Sequence, residues 1–500
     1  MDSGVGVRSH GPSGQAAGGQ AAGGQAAGGQ AAGGRDSAVR SVPFVRRVRI
    51  RNFRSIAECD VSLGPLTVLV GFNAAGKSNF LDALRFVADA LADSARQAVD
   101  CRGGLGTLLR RTAAGSADSF EIMLSLAIAP ARPGAVPTSA TYGFTIGPDP
   151  IRRAPLLVLD EVGEIDGPRG PVRLPLSAIG PRTEHLRLPG SATTNDSPQA
   201  ALERQLRAMC FYDLDTTVLR TLDDQDTRRS RLGPAGEHLG RVLGALSRTD
   251  PLGKERFDAY LAALVPGMLG MDERCAGRYS TLEARFSSAR AGVGDGAGAG
   301  AVPAGVGAGT DVGAGPGIGA GGGTGVGVGA GTDVGTGTDA GAGAGTDVGA
   351  DPDARAGTGV GAGEDGGGGT EVDAVVLQEE LSRGTLRAAG VLAALLQPEA
   401  FTGRIPLVGI EEPEAGLHPA AVAALYEALD DAAERTQVIV TAQRADLLDS
   451  DYARLSHLRA VASVDGSTQI GEVDPAGRSM VDTGAMTLGE LHRSGQLRPG

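Results

Sequence analysis

The chain has 500 residues, 80 of them glycine, with 3% aromatic residues and a formal net charge of −13. So high a glycine content overstates what can fold, and residues 291–370 alone carry nine acids and one arginine, so the remaining body is only mildly acidic. That balance neither requires nor excludes a nucleic-acid partner, which would have to be recognised by a local basic face. The start, Met-Asp-Ser-Gly, lacks a basic and apolar leader, and no window holds 18 uninterrupted apolar residues, so a soluble, cytoplasmic protein without a membrane partner is expected. Cys59, Cys101, Cys210 and Cys275 form no C-x-x-C pair, which favours reduced thiols over disulfides or zinc.

In chain order, residues 1–42 come first, with glutamines at 15, 20, 25 and 30 in a Gly-Gln-Ala-Ala-Gly repeat and no hydrophobic periodicity. They are predicted to be a disordered tail. From Val45 to Asn52, Arg47, Arg49 and Arg51 alternate with Val48 and Ile50, a strand with one basic face. That face is either solvated or a phosphate-backbone contact. After Phe53-Arg54-Ser55-Ile56 a second strand (Cys59 to Leu63) leads to an apolar strand, Leu66 to Val70. Apolar alternation at Phe120 to Ile128 and Thr141 to Ile146, with another strand at Leu156 to Leu159, predicts an antiparallel side lobe. Residues 165–200 read as loop. Leu202 to Met209, Gly236 to Leu246 and Phe257 to Leu264 read as helical, and Tyr279 to Phe286 as a strand.

Residues 291–370 hold 33 glycines in 80 positions, and Gly-Thr-Asp-Val-Gly recurs at 309, 331 and 345. Those intervals do not keep the nine-residue register of a calcium-binding β-roll, so a disordered spacer is predicted. It divides the core into 43–290 and 371–500. Beyond it lie a helix opening at Leu381-Ser382-Arg383-Gly384-Thr385 and running to Leu396, a buried strand (Ile405 to Ile410), a helix (Ala420 to Glu434) and the strand Gln437 to Thr441. Strands alternating with helices predict an α/β fold with a mostly parallel sheet and its ligand at the carboxyl ends of the strands.

Two motifs carry chemistry. Gly71-Phe72-Asn73-Ala74-Ala75-Gly76-Lys77-Ser78 fits G-x-x-x-x-G-K-[ST] between the strand at 66–70 and a helix with apolar residues at 80, 81, 84 and 87. Glycines let backbone N–H groups surround a β-phosphate, Lys77 reaches β/γ oxygens and the Ser78 hydroxyl ligates Mg²⁺. Gly71, Asn73, Ala74, Ala75, Gly76, Lys77, Ser78 and Asn79 are therefore candidate nucleotide contacts. The strand after 405 ends in Glu411-Glu412-Pro413-Glu414-Ala415-Gly416-Leu417-His418-Pro419. Glu411 is the candidate second metal ligand and Glu412 the group that polarises the attacking water.

Leu381-Ser382-Arg383-Gly384-Thr385 resembles the ABC signature. With the two motifs above, the chain is similar to soluble ABC-class ATPases of the RecF, SMC and OLD group, as are Ile50-Arg51-Asn52-Phe53-Arg54-Ser55 and Leu488-Gly489-Glu490-Leu491-His492-Arg493-Ser494-Gly495. The resemblance implies a P-loop NTPase fold with an ABC-type head, a helical lobe, and a homodimer holding two ATP molecules. Ser382 and Gly384 of one subunit would face the γ-phosphate held by Lys77 of the other, and DNA or a DNA-bound protein would be the object of the cycle. The family's switch histidine aligns with Gln443, which can orient water but cannot take a proton, and the family's Q-loop glutamine is unassigned, Gln205 being the guess. Without heptad arms the chain departs from SMC proteins, and Asp449-Ser450-Asp451 mimics the acids of the OLD nuclease without a domain to follow it. Three functions remain open: a DNA-acting ATPase, an ATP-gated scaffold controlling an effector such as a nuclease, and, disfavoured by the signature, a small-molecule kinase.

Overall fold

The computed structural model describes residues 42–287 and 374–500, apart from 114, 130–135, 150–153, 168–169, 177–183, 190, 192–193, 196 and 225–230. The expected disorder of 1–41 and 291–370 lies outside them. Strand β1 (Val45–Phe53) turns into β2 (Ile56–Ser62), and β3 (Leu66–Val70) feeds the phosphate loop and helix α1 (Lys77–Ala92). An antiparallel run follows: β4 (Phe120–Ile128), β5 (Thr138–Asp149), β6 (Ala154–Gly167) and β7 (Gly170–Arg173). After a helix at Pro198–Arg207 come β8 (Cys210–Tyr212), α2 (Leu239–Thr249), α3 (Pro251–Leu264), β9 (Met268–Ala276) and β10 (Tyr279–Phe286). The chain resumes with β11 (Ala374–Leu377), α4 (Arg383–Leu396), β12 (Leu407–Glu411), α5 (Val422–Ala432), β13 (Gln437–Ala442), β14 (Leu458–Val464), β15 (Ser467–Gly471) and α6 (Leu488–Arg493).

The central sheet runs β8-β12-β13-β3-β14-β15, parallel except for its last strand. β3, from the first half of the chain, thus lies between β13 and β14 from the second. All five residues of β3 are buried, so it reads as a continuous apolar run, as a strand covered on both faces must. Leu66, Val68 and Val70 turn to a layer built from α4, α5 and the helices at 239–264. Leu69, with Ile439 and Val461, turns to the opposite layer, formed by α1 and a second sheet.

That second sheet is antiparallel throughout, in the order β2-β1-β4-β5-β6-β7. Helix α1 lies between the sheets. Its Phe86 makes edge or tilted contacts with Phe53, Phe120 and Phe144, each worth about 0.5–1.5 kcal/mol beyond area burial. A smaller sheet joins β9, β10, β11 and the short bridge at Asp223–Asp224. In it Phe286 pairs with Ala374, so the chain leaves for the glycine-rich tract and returns from it at one point.

Three sequence readings change. Residues 165–167 and 170–173 are not loop but the end of β6 and the edge strand β7. Pro171 is tolerated there because an edge strand needs ladder bonds on one side only. The helix expected from Ala420 begins as a 3-10 turn, Pro419–Ala421, with α5 starting at Val422. The arginine row of β1 is not a bare basic face. Register places Arg49 opposite Asp60 and Arg51 opposite Glu58. Arg47 and Arg49 both pair with Asp60, and Arg51 with Glu58 and Glu121.

Candidate functional site

The carboxyl ends of β12, β13 and β3 are level, Glu411 opposite Thr441 and Thr441 opposite Leu69. The phosphate loop and the acid pair therefore open on one edge. α1 begins at Lys77, with Gly76 before it at φ 104. A Cβ at Gly76 would lie 2.0 Å from Thr468 Oγ1, so dihedral and space both demand glycine. The Thr468 hydroxyl donates to the Ala75 carbonyl at 2.9 Å and lies 2.7 Å from Ser55 Oγ. Ser55 also accepts from Asn79 Nδ2 at 2.6 Å. The Asn79 side chain thus braces the loop from beneath. Lys77 is 6% exposed, its Nζ donating to the carbonyls of Gly71 (2.7 Å) and Phe72 (3.1 Å). Burial pulls its pKa down, while Glu412, Glu414 and Glu411 act in the opposite sense.

The Ser78 hydroxyl donates to Glu411 Oε2. Burial raises the Glu411 pKa, the Ser78 bond opposes it, and Asp213, Glu412 and Asp82 add to it. Next to this pair is a pocket of about 30 Å³ lined in part by Asp82, Arg85, Asp213 and Glu411, room enough for a water. Asp213 directly follows β8 and is the residue the structure brings beside Glu411. Gln205, the sequence's guess for a loop residue at the nucleotide, instead exchanges hydrogen bonds with the backbone of Ala129 (3.0 and 3.1 Å).

Glu412 has φ 45, a left-handed conformation costing a non-glycine residue about 1–2 kcal/mol. Its N–H is held by Thr441 Oγ1 at 3.0 Å and by the Thr441 carbonyl at 3.2 Å. Arg387, one turn into α4, donates to the carbonyls of Glu411 and Glu412 (both 3.0 Å) and of Leu214 (2.7 Å). The signature helix and the acid strand are therefore one hydrogen-bonded unit. At the start of that helix Ser382 Oγ accepts from Thr385 N at 3.1 Å as the cap. A Cβ on Gly384 would lie 2.5 Å from the Gly416 carbonyl. Among the described residues, no hydrogen bond joins Ser382 or Gly384 to the phosphate loop of the same chain.

Glu414 is 1% exposed. Its Oε1 accepts from Gln443 N at 2.9 Å and its Oε2 is buried without a hydrogen-bond partner. Burial raises its pKa, the Gln443 N–H acting against that. Asp449, half of the nuclease-like acid pair, is an ion-pair partner of Arg493. Among the described residues no group of three or more His, Cys, Asp or Glu could hold a metal ion. Ser55, Thr468, Arg387, Asp213 and His492 are site neighbours that motif reading missed. The Arg-Asn-Phe-Arg-Ser turn was the visible signal for Ser55, and the closing Leu-His-Arg-Ser-Gly segment for His492.

Two family models match the chain: "AAA ATPase domain" over residues 44–114 and "AAA domain, putative AbiEii toxin, Type IV TA system" over residues 360–443. They cover the phosphate loop and the signature with its acid strand. The chain carries a split AAA/ABC-type ATPase domain. The domain is also similar, at 50% identity over 46 residues, to the DNA replication and repair protein RecF of Gloeobacter violaceus. That match spans 9% of this chain and 12% of the relative's length. Among solved structures, an SMC head bound to the C-terminal winged-helix domain of ScpA is 14% identical, with a TM-score of 0.46 over 88% of this chain and 100% of that one. The SMC head domain from Thermotoga maritima is 12% identical, with a TM-score of 0.38 over 86% and 99%. At these identities and TM-scores the likeness decides neither activity nor partners. No helix among the described residues is long and apolar enough to cross a membrane.

Proposed function

We propose that this protein binds and hydrolyses ATP, that ATP joins two copies head to tail, and that the cycle acts on DNA. The observation that carries the reading is the bond between Ser78 of the phosphate loop and Glu411, beside Glu412. Ser78 and Glu411 offer hard oxygen donors suited to Mg²⁺, which shares its shell with phosphate oxygens and needs few protein ligands. When bound, that ion would neutralise charge on the β- and γ-phosphates. Lys77 exchanges its two carbonyl partners for phosphate oxygens. Glu412, aimed by its left-handed backbone, orients the attacking water. Gln443 contributes an amide at the switch position, and Ser382 and Gly384 serve the partner's nucleotide, with the first N–H groups of α4 directed at the anion. DNA as the object rests on the name of the RecF relative. The paired arginines of β1 offer it no free basic row.

The test is ATP turnover and ATP-dependent dimerisation of wild type, Glu412→Gln and Lys77→Ala, with and without DNA. Turnover by wild type, an ATP-trapped dimer for Glu412→Gln and neither for Lys77→Ala is the expected pattern. DNA that leaves turnover unchanged would remove DNA from the reading. Gln443, which cannot accept a proton, favours a second reading: an ATP-gated scaffold for an effector such as a nuclease. It prevails if wild type dimerises on ATP without turnover.

A further inference from the structure

The backbone of Gln443 is gripped on both sides. Glu414 Oε1 takes its N–H at 2.9 Å, and its carbonyl lies 3.1 Å from Nε2 of His492. A carbonyl only accepts, so Nε2 of His492 carries the proton and donates. The same imidazole, 4% exposed, stacks on Phe72 of the phosphate loop with centroids 5.2 Å apart and planes 26° from parallel. Phe72 remains 60% exposed with this stack in place. One side chain from the carboxyl-terminal helix thus touches both the switch residue and the phosphate loop.

The helix that presents it is fixed at both ends. Thr487 and Glu490 form a reciprocal capping box, with Glu490 N to Thr487 Oγ1 at 3.2 Å and Thr487 N to Glu490 Oε2 at 2.8 Å. Arg493 pairs with Asp449 at the end of the turn that follows Gln443. Leu491 is fully buried in the helical layer. The chain then returns along 472–474, where Val473 bridges Pro499 and Asp474 N donates to the Arg498 carbonyl at 3.0 Å. So small and so clamped a helix is a rigid mount for one imidazole.

We propose that His492 is a positioning residue of the ATPase site, setting the Gln443 backbone against the phosphate loop and making turnover depend on the docked carboxyl-terminal helix. This rests on the ATP-hydrolysis reading above. It does not make His492 a catalytic group, because it touches no reacting atom. Its two contacts are separable by mutation. His492→Phe keeps a ring against Phe72 and removes the donor to Gln443. His492→Gln keeps a donor and removes the ring.

The experiment is steady-state ATP hydrolysis by the full chain for wild type, His492→Phe and His492→Gln, with thermal melting of each. His492→Phe should lower kcat about tenfold, the effect of one lost hydrogen bond, with KM for ATP within about twofold and the melting temperature unchanged. His492→Gln should recover kcat to within about threefold of wild type. Unchanged kcat in His492→Phe, or a kcat loss matched by a fall in melting temperature in both variants, overturns the proposal. If wild type turns over no ATP, the hydrolysis reading is what fails, and positioning is then read from amide hydrogen exchange at 442–448. Exchange there should be about tenfold faster in His492→Phe than in wild type, and equal rates would refute positioning as well.

Discussion

Excising the glycine-rich tract is the most direct test of how the two halves of the domain are joined. Phe286 of β10 stands opposite Ala374 of β11 in antiparallel register, and Ser287 N donates to the Gly267 carbonyl at 2.9 Å. The perturbation is to replace 288–373 by about four residues built on Asn-Gly, the turn that suits an antiparallel pair. Closure entropy of a flexible loop grows as about (3/2)RT ln n, so shortening about 90 residues to about four should stabilise the fold by roughly 2–3 kcal/mol. Urea unfolding followed by tryptophan-independent far-UV circular dichroism is the assay, since the chain has no tryptophan. The midpoint should rise, and ATP binding should persist because no described site residue lies in 288–373. A lower midpoint, or loss of ATP binding, would refute the reasoning and show that the tract makes contacts the core needs.

Two further outcomes follow from particular side chains. The pKa of buried Glu414 is raised above the ordinary 4.5, so the folded state holds its proton more tightly than the unfolded one. Its contribution is therefore most favourable below about pH 4.5 and is lost as pH rises through the raised folded value. Glu414→Gln, which keeps an acceptor for Gln443, should melt close to wild type at pH 4.5 and progressively above it towards pH 7.5, and a pH-independent difference would contradict this. Arg387→Met removes three donors to backbone carbonyls and should cost about 2 kcal/mol or more in urea unfolding, with turnover falling too; a neutral result would show that the signature helix does not need that anchor.

The phosphate loop, the acid strand and the signature helix were legible because each is a short motif whose residue types are dictated locally. β3 and β10 were legible to the residue because apolar runs or alternation are bounded by turn residues. Other strands were not. β8 is three residues long, too short for periodicity to register. β14 carries Arg459 inside it, 7% exposed and bonded through its guanidinium to the carbonyls of Ser62, Ser456 and Leu458, which disguises a buried strand as a polar one. The arginine row of β1 was read as a possible phosphate contact because sequence shows the arginines but not the register that pairs them with Asp60 and Glu58. Asp213 lies far in sequence from Glu411, and nothing local announces it. The closing segment marked His492 but not the two residues, Gln443 and Phe72, that it meets.

The interleaving of the central sheet sets an order on synthesis. β1, β2 and β4–β6 find one another within the first 170 residues of the chain. β3 waits for neighbours that begin at Gln437 and Leu458. At roughly 5–20 residues per second, the phosphate-loop strand emerges about 20–70 s before the ribosome delivers its flanking partners. The nucleotide pocket is thus among the last parts of the domain to form, and nascent chains arrested before residue 437 should not retain ATP.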